Sequence, residues 1–183
     1  DYKEEGSPAG YVAYQLVIKG LKGGHSGLDI NMGRGNAIKL MNRFLWEAAK
    51  NVGLKISSFE GGSLRNAIPR EAFATVLVKD SKKSDLEQMV SKYNLIFKSE
   101  YAGAEPDISF STKSVEIPAK VMSADAQDRF VKMVYSIPAG VIRMSVDMPD
   151  VVESSTNLAI VKANEGEVTA MCLIRSSVDT AKF

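Results

Sequence analysis

Histidine, cysteine and any surplus of charge are scarce in this sequence, and each shortage narrows what the chain can do unaided. A single histidine, His25, cannot build a multi-histidine metal site, so a complete metal centre has to come from elsewhere. A single cysteine, Cys172, forms no internal disulfide, which fits a reducing cytoplasm. Set among the strand hydrophobes Met171, Leu173 and Ile174, with no histidine near it in sequence, Cys172 reads as core and not as a nucleophile. Twenty-three Lys and Arg stand against 22 Asp and Glu with no basic block, so neither nucleic acid nor an anionic membrane is expected as a partner. Apolar stretches such as Tyr11 to Ile18 and Ala170 to Ile174 fall far short of the roughly 20 residues of a membrane helix. The polar start, Asp1 to Gly10, has no basic region followed by an apolar one, and no signal peptide is expected.

What is present is a core of ordinary size. With 183 residues, 45% of them hydrophobic, the chain has the makings of one large domain or two small, closely packed ones. Tyr11 to Lys19 reads as a buried strand running into a glycine-rich loop, Gly20 to Gly35. From Asn36 to Lys50, apolar residues at Ala37, Leu40, Met41, Phe44, Leu45 and Ala48 recur every three or four positions, which predicts a helix with one buried stripe. Leu54 to Glu60 and Glu71 to Lys79 read as strands separated by a loop holding Gly61, Gly62 and Pro69. Ser84 and Glu87 form a candidate capping box for a second helix that ends near Tyr101. Asp107 to Val115 is a half-buried strand by its alternation.

Strand, helix, strand, strand, helix, strand is the order of an α+β, ferredoxin-like layer: a mostly antiparallel sheet with helices on one face. The rest enlarges it with a short strand near Lys120, a helix from Ala124 to Ser136 stopped by Pro138, and strands at Val141 to Val146, Thr156 to Ala163 and Glu167 to Ser177. The last two are joined by a turn at Asn164, Glu165 and Gly166. This second portion reads as a partial echo of the first, so partial duplication is one hypothesis. The expected organisation is a lead-in segment at 1–10 and one domain over 11–183, with a subdivision into 11–115 and 116–183 as the alternative; the softest junction is Ala102 to Pro106.

Three residues invite chemistry. His25 sits in Gly23-Gly24-His25-Ser26-Gly27, where glycines leave the imidazole clear of bulky neighbours. It suits either hydrogen-bond donation to a developing oxyanion or a plain loop position. Asn66, in the loop from Gly62 to Arg70, offers a donor and an acceptor to a peptide or carboxylate, or else satisfies its own turn. Arg175 emerges at a strand end with a fork matched to a carboxylate, either a substrate's or that of Asp179. Gly33-Arg34-Gly35 reads as a tight turn ahead of a phosphate cradle, and Asp147 with Asp150 as solvated surface ahead of a cation site.

The segments around these residues resemble the lid of the cytosolic aminoacyl-histidine (Xaa-His) dipeptidases. The resemblance is carried, in order along the chain, by Gly20-Leu21-Lys22-Gly23-Gly24-His25-Ser26-Gly27, by Gly61 to Phe73, by Gly140-Val141-Ile142-Arg143-Met144-Ser145, by Val152-Glu153-Ser154-Ser155-Thr156-Asn157-Leu158 and by Arg175-Ser176-Ser177-Val178-Asp179. It implies a lid and dimerisation domain whose parent is a metallopeptidase cleaving dipeptides with C-terminal histidine. Two zinc ions and their ligands would then belong to a catalytic domain absent from this sequence, and no metal ligand is expected here. By position, His25 resembles the lid histidine that stabilises the tetrahedral oxyanion, Asn66 a substrate-binding asparagine, and Arg175 the arginine that holds the dipeptide's free carboxylate.

The same resemblance implies a dipeptide substrate, a catalytic domain of the same chain as partner, and a homodimer in which His25 serves one subunit or the other. The second portion of the chain standing in for the partner subunit is the other arrangement. A stand-alone ferredoxin-like interaction or small-ligand module is the competing reading; an RNA binder would need exposed aromatics and a basic face, neither of which is evident.

Overall fold

The computed structural model describes residues 1–182. Its strands are β1 (Glu4–Gly6), β2 (Tyr11–Lys19), β3 (Gly24–His25), β4 (Lys55–Gly61), β5 (Ala67–Ile68), β6 (Ala72–Lys79), β7 (Ser109–Val115), β8 (Lys120–Met122), β9 (Gly140–Met144), β10 (Val152–Asn164) and β11 (Glu167–Ser176). Three helices, α1 (Ala37–Asn51), α2 (Lys83–Glu100) and α3 (Ala124–Ser136), complete the frame. None is long and apolar enough to cross a membrane.

The main sheet runs β11-β10-β4-β6-β2-β7. Within it, β2, α1, β4, β6, α2 and β7 follow the expected ferredoxin-like order, and every neighbouring pair is antiparallel. Period-two alternation selects the faces. Tyr14, Leu16 and Ile18 of β2 and Ala72, Ala74, Val76 and Val78 of β6 point into one core, against Ile38, Met41, Phe44 and Leu45 of α1. Residues of the opposite phase, Ala13 and Leu77, are covered by Val121 on the β1–β8 ribbon. Phe44 is fully buried and meets Tyr93 and Phe110 edge to face at 5.3 and 4.7 Å between ring centres.

Asn36 starts α1 and fastens it to the sheet. Its Oδ1 accepts from the backbone N–H of Ile38 (3.1 Å) and Lys39 (3.3 Å), while Nδ2 donates to the carbonyl of Leu158 on β10 (3.0 Å). Ser123 caps α3 through Ala126 N–H at 3.3 Å. The C-terminal carbonyls of α3 receive Lys39 Nζ, which donates to Val134, Tyr135 and Ile137 at 2.8, 2.8 and 2.9 Å.

Residues beyond Val115 widen this same sheet. β10 pairs with β11 along one edge; on its other edge Val161 to Ala163 meet β4, and Val152 to Thr156 meet β9. The β10–β11 hairpin closes through Glu165 (φ 51°) and Gly166 (φ 81°), the paired positive angles of a type I′ turn that suits the twist of two strands.

Two readings of the sequence are corrected. The Ser84–Glu87 capping box is not used: a 3-10 turn at Asp80–Lys82 leads straight into α2, so Ser84 is already inside the helix, and Glu87 instead accepts from Tyr14 Oη at 2.9 Å. Cys172 is exposed, not core, because β11 is an edge strand whose faces are left largely uncovered.

Candidate functional site

A two-stranded ribbon organises the site. β3 pairs with β5 so that His25 stands opposite Ala67, and Ser26 N–H donates to the Asn66 carbonyl at 2.9 Å. The glycine loop and the Gly62–Arg70 loop are thereby locked edge to edge, with His25 and Asn66 one register step apart. Behind them, fully buried Asn157 donates from Nδ2 to the Ala67 carbonyl at 2.7 Å, and the first amide of α1, Ala37 N–H, donates to Pro69 at 2.9 Å. At the exit of β4, Gly62 takes φ 71° and rests against the Ala159 carbonyl, where any side chain would collide.

The imidazole of His25 is half-buried, and its Nδ1 accepts from the backbone N–H groups of both Gly27 and Leu28 at 3.2 Å. Two donors aimed at Nδ1 make it the acceptor nitrogen, so the proton of the neutral ring sits on Nε2. Nε2–H has no partner of its own among the described residues. The loop around the ring is cross-braced: Asp29 Oδ2 accepts from His25 N–H at 2.7 Å and lies 3.3 Å from Arg34 Nη1, which also donates to the Gly23 carbonyl.

His25 and Asn66 both line a cleft of about 620 Å³, together with Lys22, Leu64, Arg70 and Glu71. Asn66 is exposed and lines the cleft, and its carboxamide has no hydrogen-bond partner among the described residues. Arg175 of β11, opposite Ser155 of β10, comes against the glycine loop at Gly27. A Cβ placed on Gly27 would lie 3.0 Å from Arg175 Nε and 3.2 Å from His25 Cε1, so the guanidinium and the imidazole share the space that this glycine leaves open. Arg175 makes no ion pair with Asp179, which pairs instead with Lys182 at 2.6 Å.

Several supporting residues gave no signal in the sequence. Asp29 and Arg34 brace the loop from within. Glu105, from the stretch read as the softest junction, is fully buried: Oε2 accepts from Lys22 N–H at 2.7 Å and Oε1 from Gly35 N–H at 2.9 Å. Gly35 N–H is held by Glu105 and the first amides of α1 are held by Pro69 and Asn36, so these donors at the helix start are already engaged within the chain. Among the described residues there is no group of three or more His, Cys, Asp or Glu side chains able to hold a metal ion.

Known proteins are similar to this chain. Residues 16–105 match the family described as "Peptidase dimerisation domain". The chain is 43% identical over 178 residues to the cytosol non-specific dipeptidase of Escherichia coli (strain K12), covering 97% of this chain and 37% of that protein. It superposes on the crystal structure of aminoacylhistidine dipeptidase from Vibrio alginolyticus with a TM-score of 0.97 and 43% identity, covering 100% of this chain and 37% of that one. The chain thus spans a little over a third of the length of either relative.

Proposed function

We propose that this chain, whose residues 16–105 match the peptidase dimerisation domains, is the lid and dimerisation domain of a cytosolic dipeptidase that hydrolyses Xaa-His dipeptides. One observation carries the reading: a histidine whose tautomer is fixed by two backbone amides, with a free Nε2–H beside an unpartnered asparagine in an open cleft. The names of the two relatives, both dipeptidases, support the reaction class.

In this mechanism His25 donates from Nε2 to the oxygen of the scissile carbonyl as it becomes an oxyanion. A donor held in place beforehand needs no reorganisation during the reaction and is worth about 2.7 to 4 kcal/mol, or roughly 10² to 10³ in kcat. Asn66 uses its carboxamide to hold the dipeptide, and Arg175 takes the free carboxylate in its fork. Two zinc ions, held by a catalytic domain lying outside these 183 residues, would supply Lewis acidity and an activated water. The domain organisation that follows is a lead-in at 1–10, a lid over 11–183 and a catalytic partner domain in the same polypeptide, the whole assembling as a homodimer.

The test is kinetic, on the full-length protein. His25→Ala should keep its full zinc content and lose about 10² to 10³ in kcat. Wild-type turnover in a zinc-replete His25→Ala protein would remove the histidine from the mechanism. The fragment alone should be inactive toward any dipeptide.

A further inference from the structure

Glu105 is the most deeply buried carboxylate near the site, and no cation pairs with it among the described residues. A carboxyl group carried out of water without a counter-charge is costly unless hydrogen bonds meet its oxygens. Both oxygens of Glu105 are met by backbone amides, and the identity of those amides is informative. Lys22 N–H (2.7 Å) lies just before the segment that presents His25, and Gly35 N–H (2.9 Å) lies just after it. One side chain therefore grips both feet of the loop.

The residue type matters. A carboxylate only accepts, so its two oxygens serve two N–H donors at once, whereas a glutamine at the same place would turn an NH₂ group toward one of them. Glu105 itself is well anchored: its N–H donates to the Tyr101 carbonyl at 2.7 Å, at the end of α2, and its carbonyl accepts from Ile108 N–H at 3.2 Å. The route from Glu105 to the imidazole is short. Fixing Lys22 and Gly35 fixes Gly23 and Arg34, which bond to each other; Arg34 holds Asp29, and Asp29 accepts from His25 N–H at 2.7 Å.

We propose that Glu105 is the positioning residue of His25, clamping both ends of its loop so that Gly27 and Leu28 stay aimed at Nδ1 and the proton stays on Nε2. The kinetic consequence rests on the reading of His25 as oxyanion donor; the structural consequence does not.

That separation sets the experiment. His25 is the only histidine of the chain, so nitrogen NMR of its imidazole reports the tautomer without ambiguity. The wild-type chain should show one species, protonated on Nε2. Glu105→Gln, and Glu105→Asp as a second variant too short to span both amides, should show averaging toward the Nδ1–H form while far-ultraviolet circular dichroism stays native. An unchanged imidazole spectrum in either folded variant overturns the proposal. In the full-length dipeptidase, Glu105→Gln should lower kcat roughly tenfold to a hundredfold with little change in KM. The same substitution should cost nothing further in a His25→Ala background; a loss that persists there also overturns the proposal. A shifted spectrum with unaltered kinetics upholds the clamp and rejects the catalytic reading of His25.

Discussion

Asn36 performs two tasks that a pair of substitutions can separate. Its Oδ1 caps α1 and its Nδ2 ties the helix to the Leu158 carbonyl, whose residue is completely buried. Asn36→Ala removes both. Loss of the cap costs about 1 kcal/mol. Leaving a buried carbonyl unpaired costs about 1 to 3 kcal/mol more. The sum, about 2 to 4 kcal/mol, lowers the Tm of a domain of this size by roughly 4 to 16 °C. Asn36→Asp keeps the cap, since a carboxylate accepts the same amides and suits the helix N-terminus, but it turns an acceptor toward Leu158. It should therefore lose only the second part, about 1 to 3 kcal/mol. Urea denaturation of the wild type and the two variants, with equal m values, measures both. An aspartate variant as stable as wild type would refute the role given to the Leu158 bond, and an alanine variant no worse than the aspartate would refute the cap.

Gly27→Ala puts a methyl group 3.0 Å from Arg175 Nε and 3.2 Å from His25 Cε1, so both groups must yield by a few tenths of an ångström. Turnover of the full-length protein should fall severalfold while the Tm of the fragment stays level or rises, since alanine restricts the unfolded chain by about 0.4 to 1 kcal/mol; full activity would mean that the two side chains need no such proximity. Arg175→Ala should raise KM for dipeptides with a free C-terminus and leave amidated ones unaffected, and an equal effect on both would reject the carboxylate clamp. Glu100 is held below its ordinary pKa by the Arg43 guanidinium, which donates to it at 2.6 and 2.9 Å. A depressed carboxylate stabilises the fold above its unfolded pKa, so Glu100→Gln should cost under about 1 kcal/mol near neutrality, this pair being partly exposed. That difference should shrink as the pH falls from 4.5, the ordinary value for glutamate, and vanish once the pH is below the lowered pKa of the folded state; a gap persisting in stronger acid would contradict the ion pair.

The parts of the fold legible in the sequence are those built on local periodicity. The α1 stripe from Ala37 to Ala48 and the alternation of Ala74, Val76 and Val78 against Phe73 and Thr75 record directly which side meets the core. A short hairpin turn at Asn164, Glu165 and Gly166 was legible between two strand-like runs, whereas its type I′ geometry at Glu165-Gly166 belongs to the structure. β3 and β5 were not: each is only two residues long and exists because the other pairs with it across the site. Glu105 was hidden for the same reason, its two donors lying 83 and 70 residues away in sequence. Cys172 misled because an apolar neighbourhood in sequence says nothing of whether a strand lies at a sheet edge. His25, Asn66 and Arg175 stood out as residue types in glycine-rich or strand-end settings, but their proximity is a product of long-range pairing, and their roles came from the resemblance of the motifs around them.

The central claim is that His25 Nε2–H serves a tetrahedral oxyanion and not the ground-state dipeptide. Binding of a phosphinic dipeptide analogue, whose tetrahedral oxyanion mimics the transition state, to the full-length protein tests this most directly. His25→Ala should weaken that binding by about 10² to 10³ while leaving substrate KM nearly unchanged. Equal affinity of wild type and variant for the analogue would contradict the account.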